Sequence, residues 1–243
     1  MDTITRATQS LGTSSHAIYA MVERAIADHA IECKTVIDVG CGTGNLRPFV
    51  IRQFGSFNID HCTNRYIGVD GIQYDGFPTN AEFVLQDLEY PITNLDSNLA
   101  DVVVSVETIE HLENPRAFYR ELSRLAKPGG LVLVTTPNQL SLLSKLTLLL
   151  KNQFNAFQDA PGSYPSHITA LLEIDLRRIA KECGLTPIEI RYSNRGRMVL
   201  TPWYYPNRVF RGQWFSDNVL CISRKPFEVG KRQSSSPSLE VAL

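Results

Sequence analysis

The sequence has almost no net charge. Its 24 Lys and Arg stand against 25 Asp and Glu, a formal balance of -1 over 243 residues. That balance excludes a global electrostatic pull toward nucleic acid or an anionic bilayer, so any charged partner must be read by a local patch. Cysteine is sparse. Cys33, Cys41, Cys62, Cys183 and Cys221 are scattered, odd in number and without a C-x-x-C pair, which excludes a disulfide framework or zinc ribbon and suits a reducing compartment. His61 beside Cys62 lacks further ligands at metal spacing and reads as plain loop. Long hydrophobic runs are also missing. Residues 1–15 are polar and rich in Ser and Thr, without the apolar segment of a secretory signal. The most leucine-rich stretch, residues 140–150, is broken by Ser141, Ser144, Lys145 and Thr147, too short and too polar to span a bilayer. The expectation is a cytoplasmic chain with no transmembrane segment. No internal repeat is visible.

What is present is a regular alternation. The length suits one α/β domain with a sizeable core, expected over residues 1–230, with a disordered tail at 231–243 that carries Lys231, Arg232 and a serine-rich run. A helix is predicted over about 15–30, with Ile18, Met21, Val22, Ala25 and Ile26 on one face. Short β-branched runs then follow at 35–39, 66–70, 82–87, 101–106 and 131–135. Between them lie a helix over 46–54, with Pro48 in its first turn, and one over 115–126, capped by Asn114 and ended by Pro128-Gly129-Gly130. Continuous apolar strands separated by helices indicate a buried parallel sheet with helices on both faces, a Rossmann-like doubly wound α/β fold. A helix over 171–182, closed by Gly184, precedes two runs at 188–191 and 218–223. With no helix between them, these are expected to pair antiparallel at the sheet edge as a hairpin with a long connection. In a doubly wound sheet, ligands bind beyond the carboxyl ends of the strands. Here those ends carry Gly40-Cys41-Gly42, Asp70, Asp87, Val106-Glu107 and Pro137-Asn138.

The glycine loop Asp38-Val39-Gly40-Cys41-Gly42-Thr43-Gly44 joins a strand to a helix, so backbone and a helix N-terminus can approach a ligand closely. A dinucleotide loop needs G-x-G-x-x-G, and Asn45 occupies the last position. Asp38, two residues before the first glycine, would repel a pyrophosphate but suits an amino group. Asp70 can take both hydroxyls of a ribose, and Asp87 can accept from an exocyclic amine. An amino acid, a ribose and an adenine in sequence describe S-adenosylmethionine.

Val36 to Gly44, Ile67-Gly68-Val69-Asp70, Asp87-Leu88, Val106-Glu107-Thr108-Ile109-Glu110-His111-Leu112 and Lys127-Pro128-Gly129-Gly130 together resemble the successive motifs of class I S-adenosylmethionine-dependent methyltransferases. The likeness runs over residues 34–138 and is nearest to the ubiquinone-biosynthesis O-methyltransferases. It implies a seven-stranded sheet, mostly parallel, whose last two strands form an antiparallel edge hairpin. It also implies that Asp38, Gly40 and Gly42 hold the methionine end, Asp70 the ribose, and Asp87 with Leu88 the adenine. Cys41, Gly44, Gly71 and Val106 complete the cofactor set.

For catalysis, Glu107, Glu110 and His111 are expected to share one face at i, i+3 and i+4 if the chain turns helical after the fourth strand. This Glu-x-x-Glu-His element resembles one found in the ubiquinone O-methyltransferases. It also resembles one in the small-RNA 2′-O-methyltransferases, which coordinate a magnesium-like ion with it and add a further histidine; His167 stands about where that histidine falls. A metal set of Glu107, Glu110, His111 and His167, and His111 as a metal-free general base, both remain open.

Two segments surround this core. Residues 139–169 form an inserted cap or lid, in which Leu142, Leu143, Leu146, Leu149 and Leu150 make an apolar stripe widened by Leu140 and Leu148. The stripe is expected to pack on the sheet, with a peripheral lipid contact as the alternative. Residues 190–216 hold Arg191, Arg195, Arg197, Arg208 and Arg211, the aromatics Trp203, Tyr204, Tyr205, Phe210, Trp214 and Phe215, and no acid. Such a set suits a carboxylate, a phosphate or a stacked ring, but no RNA-binding module accompanies it. The expected function is O-methylation of a small-molecule, lipid-linked or sugar-containing acceptor. RNA 2′-O-methylation and non-catalytic cofactor binding are the alternatives.

Overall fold

The computed structural model describes residues 12–30, 33–54, 65–159, 163–199 and 201–227. The His61-Cys62 pair and the 231–243 tail lie outside them. In chain order the elements are α1 (His16–His29), β1 (Thr35–Val39), α2 (Arg47–Phe54), β2 (Arg65–Asp70), β3 (Glu82–Leu85), β4 (Ala100–Ser105), α3 (Pro115–Leu125), β5 (Ala126–Pro137), α4 (Leu142–Lys151), α5 (Glu173–Glu182), β6 (Thr186–Tyr192) and β7 (Asn218–Arg224). One seven-stranded sheet runs in the order β3-β2-β1-β4-β5-β7-β6. The pairs from β3 to β5 are all parallel. β7 runs antiparallel to both β5 and β6. The edge hairpin therefore folds inward: β7 sits one place in, and β6 takes the rim. No helix among the described residues is long and apolar enough to cross a membrane.

Strand periodicity splits the core in two. Ile37, Val39, Ile67, Val69 and Val103 point to the face covered by α3 and α5, where Phe118, Tyr119, Leu122, Leu176 and Ile179 pack. Val36, Tyr66, Val102, Val104 and Leu133 point to the opposite face and meet Ile18, Met21, Val22 and Ile26 of α1. Both sides of β1 and β4 are thus buried, which is why Val36-Ile37 and Val102-Val103-Val104 are apolar in succession rather than alternating. The Asn114 side chain accepts from Ala117 N at 2.9 Å and Pro115 opens α3, as the sequence predicts.

Two expectations are corrected. Helix α3 stops at Leu125, and Pro128-Gly129-Gly130 lies within β5 rather than closing the helix. The backbone of this stretch is engaged by the chain after β7: Gly129 N donates to Lys225 O, and Lys225 N to Gly130 O. The α4 stripe does not pack on the sheet. Ser144 is the buried residue of the helix, while Leu149 and Leu150 are each 80 % exposed. Helix α4 lies beyond the end of β5, packing beside a short 3-10 turn at Asn155–Phe157, so its last turn has no sheet beneath it.

Candidate functional site

The carboxyl ends of β1, β2 and β4 open into one cavity of about 770 Å³. Its wall includes Asp38, Gly40, Cys41, Gly42, Asp70, Gly71 and Leu88, with Val106 and Glu107. The glycine loop is built against its neighbours. Gly40 (φ 80°) and Gly42 (φ 52°) both adopt left-handed conformations. A Cβ on Gly40 would land on Thr108, and one on Gly42 on the carbonyl of Gly12. Gly40 N donates to Val69 O at 2.8 Å, and Gly42 N to Asp70 Oδ2 at 2.8 Å. The loop is thereby tied to the end of β2.

Asp38 is buried. Its Oδ2 accepts from the Tyr66 hydroxyl, and its Oδ1 has no hydrogen-bond partner among the described residues. Burial pushes the carboxyl up to about 7, against the Tyr66 bond that lowers it. An unsatisfied buried carboxylate oxygen on a cavity wall is costly unless a donor arrives. Asp70 is likewise raised by burial, and backbone N–H groups including Gly42 and Ile72 oppose the shift. Sequence reasoning missed the roof over this end: Gly12, Thr13, Ser14, Ser15 and Tyr19 all line the cavity. The one available signal was Gly12, whose carbonyl accepts from Thr43 N at 3.0 Å.

Two expected cofactor residues stand elsewhere. Gly44 packs under Pro78 and Phe77, away from the cavity wall. Asp87 is also off the wall, and its Oδ1 accepts from Glu89 N at 3.1 Å, ordering the turn after β3.

Glu107, Glu110 and His111, expected to act together, do not share a helical face. Only Ile109–His111 turns, as a single 3-10 turn. Glu107 precedes it with φ 50°, a strained conformation for a residue with a Cβ. Its carboxylate is held by Thr135 Oγ1 at 2.8 Å and Asn218 Nδ2 at 2.7 Å, and burial raises it. Glu110 points elsewhere. It is fully buried, accepts from Thr136 Oγ1 at 3.2 Å, and leaves Oε1 unpartnered; burial and the nearby Glu107 hold it well above the usual carboxylate range.

Tertiary structure does bring His167 to His111. The rings meet edge-to-face with centroids 4.8 Å apart. His111 Nδ1 lies 2.9 Å from Ser166 O, and His167 Nδ1 lies 3.0 Å from Ala156 O. A carbonyl only accepts, so the His167 ring carries its proton on Nδ1 and a lone pair on Nε2; His111 Nδ1 also lies 3.0 Å from Ser166 Oγ, and the tautomer that donates to the carbonyl leaves its lone pair on Nε2 as well. Burial lowers His167 to about 4, and His111 adds to the effect. Glu110, His111 and His167 each offer a ligand atom, all within 4.8 Å of one another. Glu107 stands outside that set.

The arginine-aromatic segment is divided. Tyr205, Phe210 and Phe215 pack as a small cluster with centroids 4.9–5.2 Å apart, while Trp203 and Trp214 are exposed. Arg191 is bound to Asp28 and Glu189, and Arg197 lies 3.5 Å from Asp217. Arg195 stacks over Tyr204 at 4.2 Å, and both line the cavity mouth with Arg197.

A family profile described as a methyltransferase domain matches residues 15–190. The chain belongs to the methyltransferase domain family. It is 25 % identical over 135 residues to a malonyl-[acyl-carrier protein] O-methyltransferase of Ilyobacter polytropus, covering 52 % of this chain and 51 % of that one. It is 31 % identical over 135 residues to the mitochondrial ubiquinone biosynthesis O-methyltransferase of Dictyostelium discoideum, covering 51 % and 41 %. The matched part thus spans about half, or less, of these relatives. Among solved structures, a SAM-dependent methyltransferase of Archaeoglobus fulgidus superposes with TM-score 0.58 at 18 % identity, covering 85 % of this chain and 94 % of that one. The 1,6-didemethyltoxoflavin N1-methyltransferase of Burkholderia thailandensis, solved with its substrate and S-adenosylhomocysteine, gives TM-score 0.57 at 13 % identity, covering 87 % and 80 %. At such identities these structures speak for the fold.

Proposed function

We propose that the methyltransferase domain transfers a methyl group from S-adenosylmethionine to an oxygen of a small acceptor molecule. The observation that carries this reading is the unpartnered Oδ1 of buried Asp38, on the wall of a cavity that His111 and His167 also line. That oxygen fits the amino group of the cofactor's methionine moiety. Gly40 and Gly42 give it close backbone approach, Asp70 fits the ribose hydroxyls, and Leu88 offers an apolar contact to the adenine. When bound, the cofactor supplies a sulfonium methyl group that is electrophilic without further activation. The chain's part is to orient the acceptor, exclude water and remove a proton. As the acceptor oxygen is methylated, its hydroxyl proton would pass to His111 Nε2. The Ser166 carbonyl holds the tautomer that makes this nitrogen the acceptor. The names of the two O-methyltransferase relatives agree with oxygen as the methylated atom.

A second reading adds a divalent ion. Glu110, His111 and His167 fit one: both imidazoles are fixed through Nδ1 by backbone carbonyls, the arrangement that commonly orients metal-ligating histidines. The buried Glu110 Oε1 lacks a partner. Such an ion would lower the pKa of the acceptor hydroxyl.

One experiment tests both readings. S-adenosylhomocysteine binding is measured by calorimetry, and methyl transfer to a panel of phenols and alcohols by mass spectrometry. His111→Ala is expected to lower turnover at least about 100-fold with cofactor-product affinity unchanged. Wild-type turnover in the variant removes His111 from the chemistry, and failure to bind S-adenosylhomocysteine removes the whole reading. Exhaustive chelation that stops turnover but spares binding supports the ion; full turnover in chelator removes it.

A further inference from the structure

Beside the main cavity lies a second of about 230 Å³, which shares Glu107, Ser163, His167, Arg197, Asp217 and Asn218 with it, so the two are neighbours. It extends past the end of β5 beneath the start of α4, where Gln139, Ser141, Ser144 and Asn155 line it. A water's share of liquid volume is about 30 Å³, so this space fits a ligand fragment rather than a single solvent molecule. The residues that line it are polar apart from Pro137 and Ala156.

The charges and hydrogen-bond roles on this wall narrow what fits. Gln139 is 2 % exposed. Its Nε2 donates to Pro137 O at 2.9 Å, and its Oε1 has no partner among the described residues. An apolar occupant would leave that oxygen unsatisfied. Two carboxyl groups, Glu107 and Asp217, face a single cation, Arg197, which already lies beside Asp217. An anionic occupant would be repelled and could satisfy no acceptor. His167 adds a further acceptor at Nε2, because its Nδ1 is committed to Ala156 O. The Ser141, Ser144 and Ser163 hydroxyls and the Asn155 amide add donors to the same wall, so it offers both kinds of partner, and a neutral group whose hydroxyls each give and take a hydrogen bond meets that requirement.

Resting on the methyltransferase reading, we propose that this side cavity binds a polyhydroxylated part of the acceptor, a sugar or similar polyol, with Gln139 Oε1 accepting from one of its hydroxyls. The test uses the full chain saturated with S-adenosylhomocysteine. Its probes are 4-nitrophenyl glycosides of glucose, galactose, xylose and rhamnose, with 4-nitrophenol as the sugar-free comparison, and Kd is read by saturation-transfer NMR. At least one glycoside is expected to bind tenfold or more tightly than 4-nitrophenol, and Gln139→Leu to abolish that preference while leaving S-adenosylhomocysteine affinity unchanged. If no glycoside is preferred by the wild-type protein, or if folded Gln139→Leu retains the preference, the proposal fails. The wild-type comparison decides on its own should the variant not fold. Failure to bind S-adenosylhomocysteine in the first step would instead sink the methyltransferase reading, so the two failures are distinguishable.

Discussion

At the scale of single residues, Asp38 is the most exposed to a simple test. Its carboxyl, pushed up to about 7 by burial, must be ionised to pair with the ammonium of the cofactor. Below that pH the protein holds a proton that binding has to displace, so affinity falls as pH falls, by at most tenfold per pH unit. S-adenosylhomocysteine titrations are expected to weaken steadily from about pH 8 to about pH 6. Asp38→Asn should bind more weakly and without that slope. A wild-type affinity independent of pH would remove Asp38 from the contact. The sequence singles out Asp38 because a strand-end carboxylate beside a glycine loop has few other uses, and the structure places it on the cavity wall. Asp87 and Gly44 lie off that wall, since an Asp that orders a turn and a Gly under a packed ring look the same in one dimension as a ligand contact.

At the scale of elements, the loop between β1 and α2 is constrained from both sides, and the two constraints can be separated. Gly42 has a left-handed φ of 52° and no room for a Cβ, because the Gly12 carbonyl sits there. Gly76 has φ 90° and nothing within 4 Å. Gly76→Ala therefore carries only the conformational penalty, about 1–2 kcal/mol. Gly42→Ala carries that penalty and also pushes the roof segment off the loop. It is expected to weaken S-adenosylhomocysteine binding at least tenfold, where Gly76→Ala leaves it alone. Equal affinities for the two variants would show that the roof contributes nothing. The turn after β4 teaches a related lesson. Spacing alone suggested a helical face for Glu107, Glu110 and His111, but Thr135 and Asn218 hold Glu107 outside the turn. Those partners come from strands β5 and β7, which local spacing does not encode.

At the scale of the whole molecule, the cavity draws its wall from the start of α1, the ends of β1, β2 and β4, the 163–167 segment and the chain around β7. A ligand that touches all of these binds only the folded chain and so stabilises it globally. At a concentration about 100 times Kd the linkage contributes about 2.7 kcal/mol. For a chain of this size that corresponds to a rise in Tm of roughly 5–10 °C. Thermal melts with S-adenosylhomocysteine check this, and a shift below about 2 °C at proven saturation would mean that the site is not coupled to the fold as a whole.

The amino-acid sequence by itself determined the order of strands and helices, the two-sided burial of β1 and β4, the glycine loop, and the pairing of Asp38 with Asp70 at neighbouring strand ends. These are encoded by short-range patterns: a period of two or of 3.6, a cap, a glycine where φ is positive. Only the tertiary structure decided that β7 lies inside β6, that Gly12 roofs the loop, and that His167 meets His111 across 56 residues of sequence. It also decided that the leucines ending α4 stay in solvent and that Gln139 faces a polar cavity with an oxygen unsatisfied. Each depends on which surfaces remain after the sheet has assembled. A residue's own neighbours in the chain carry no record of that.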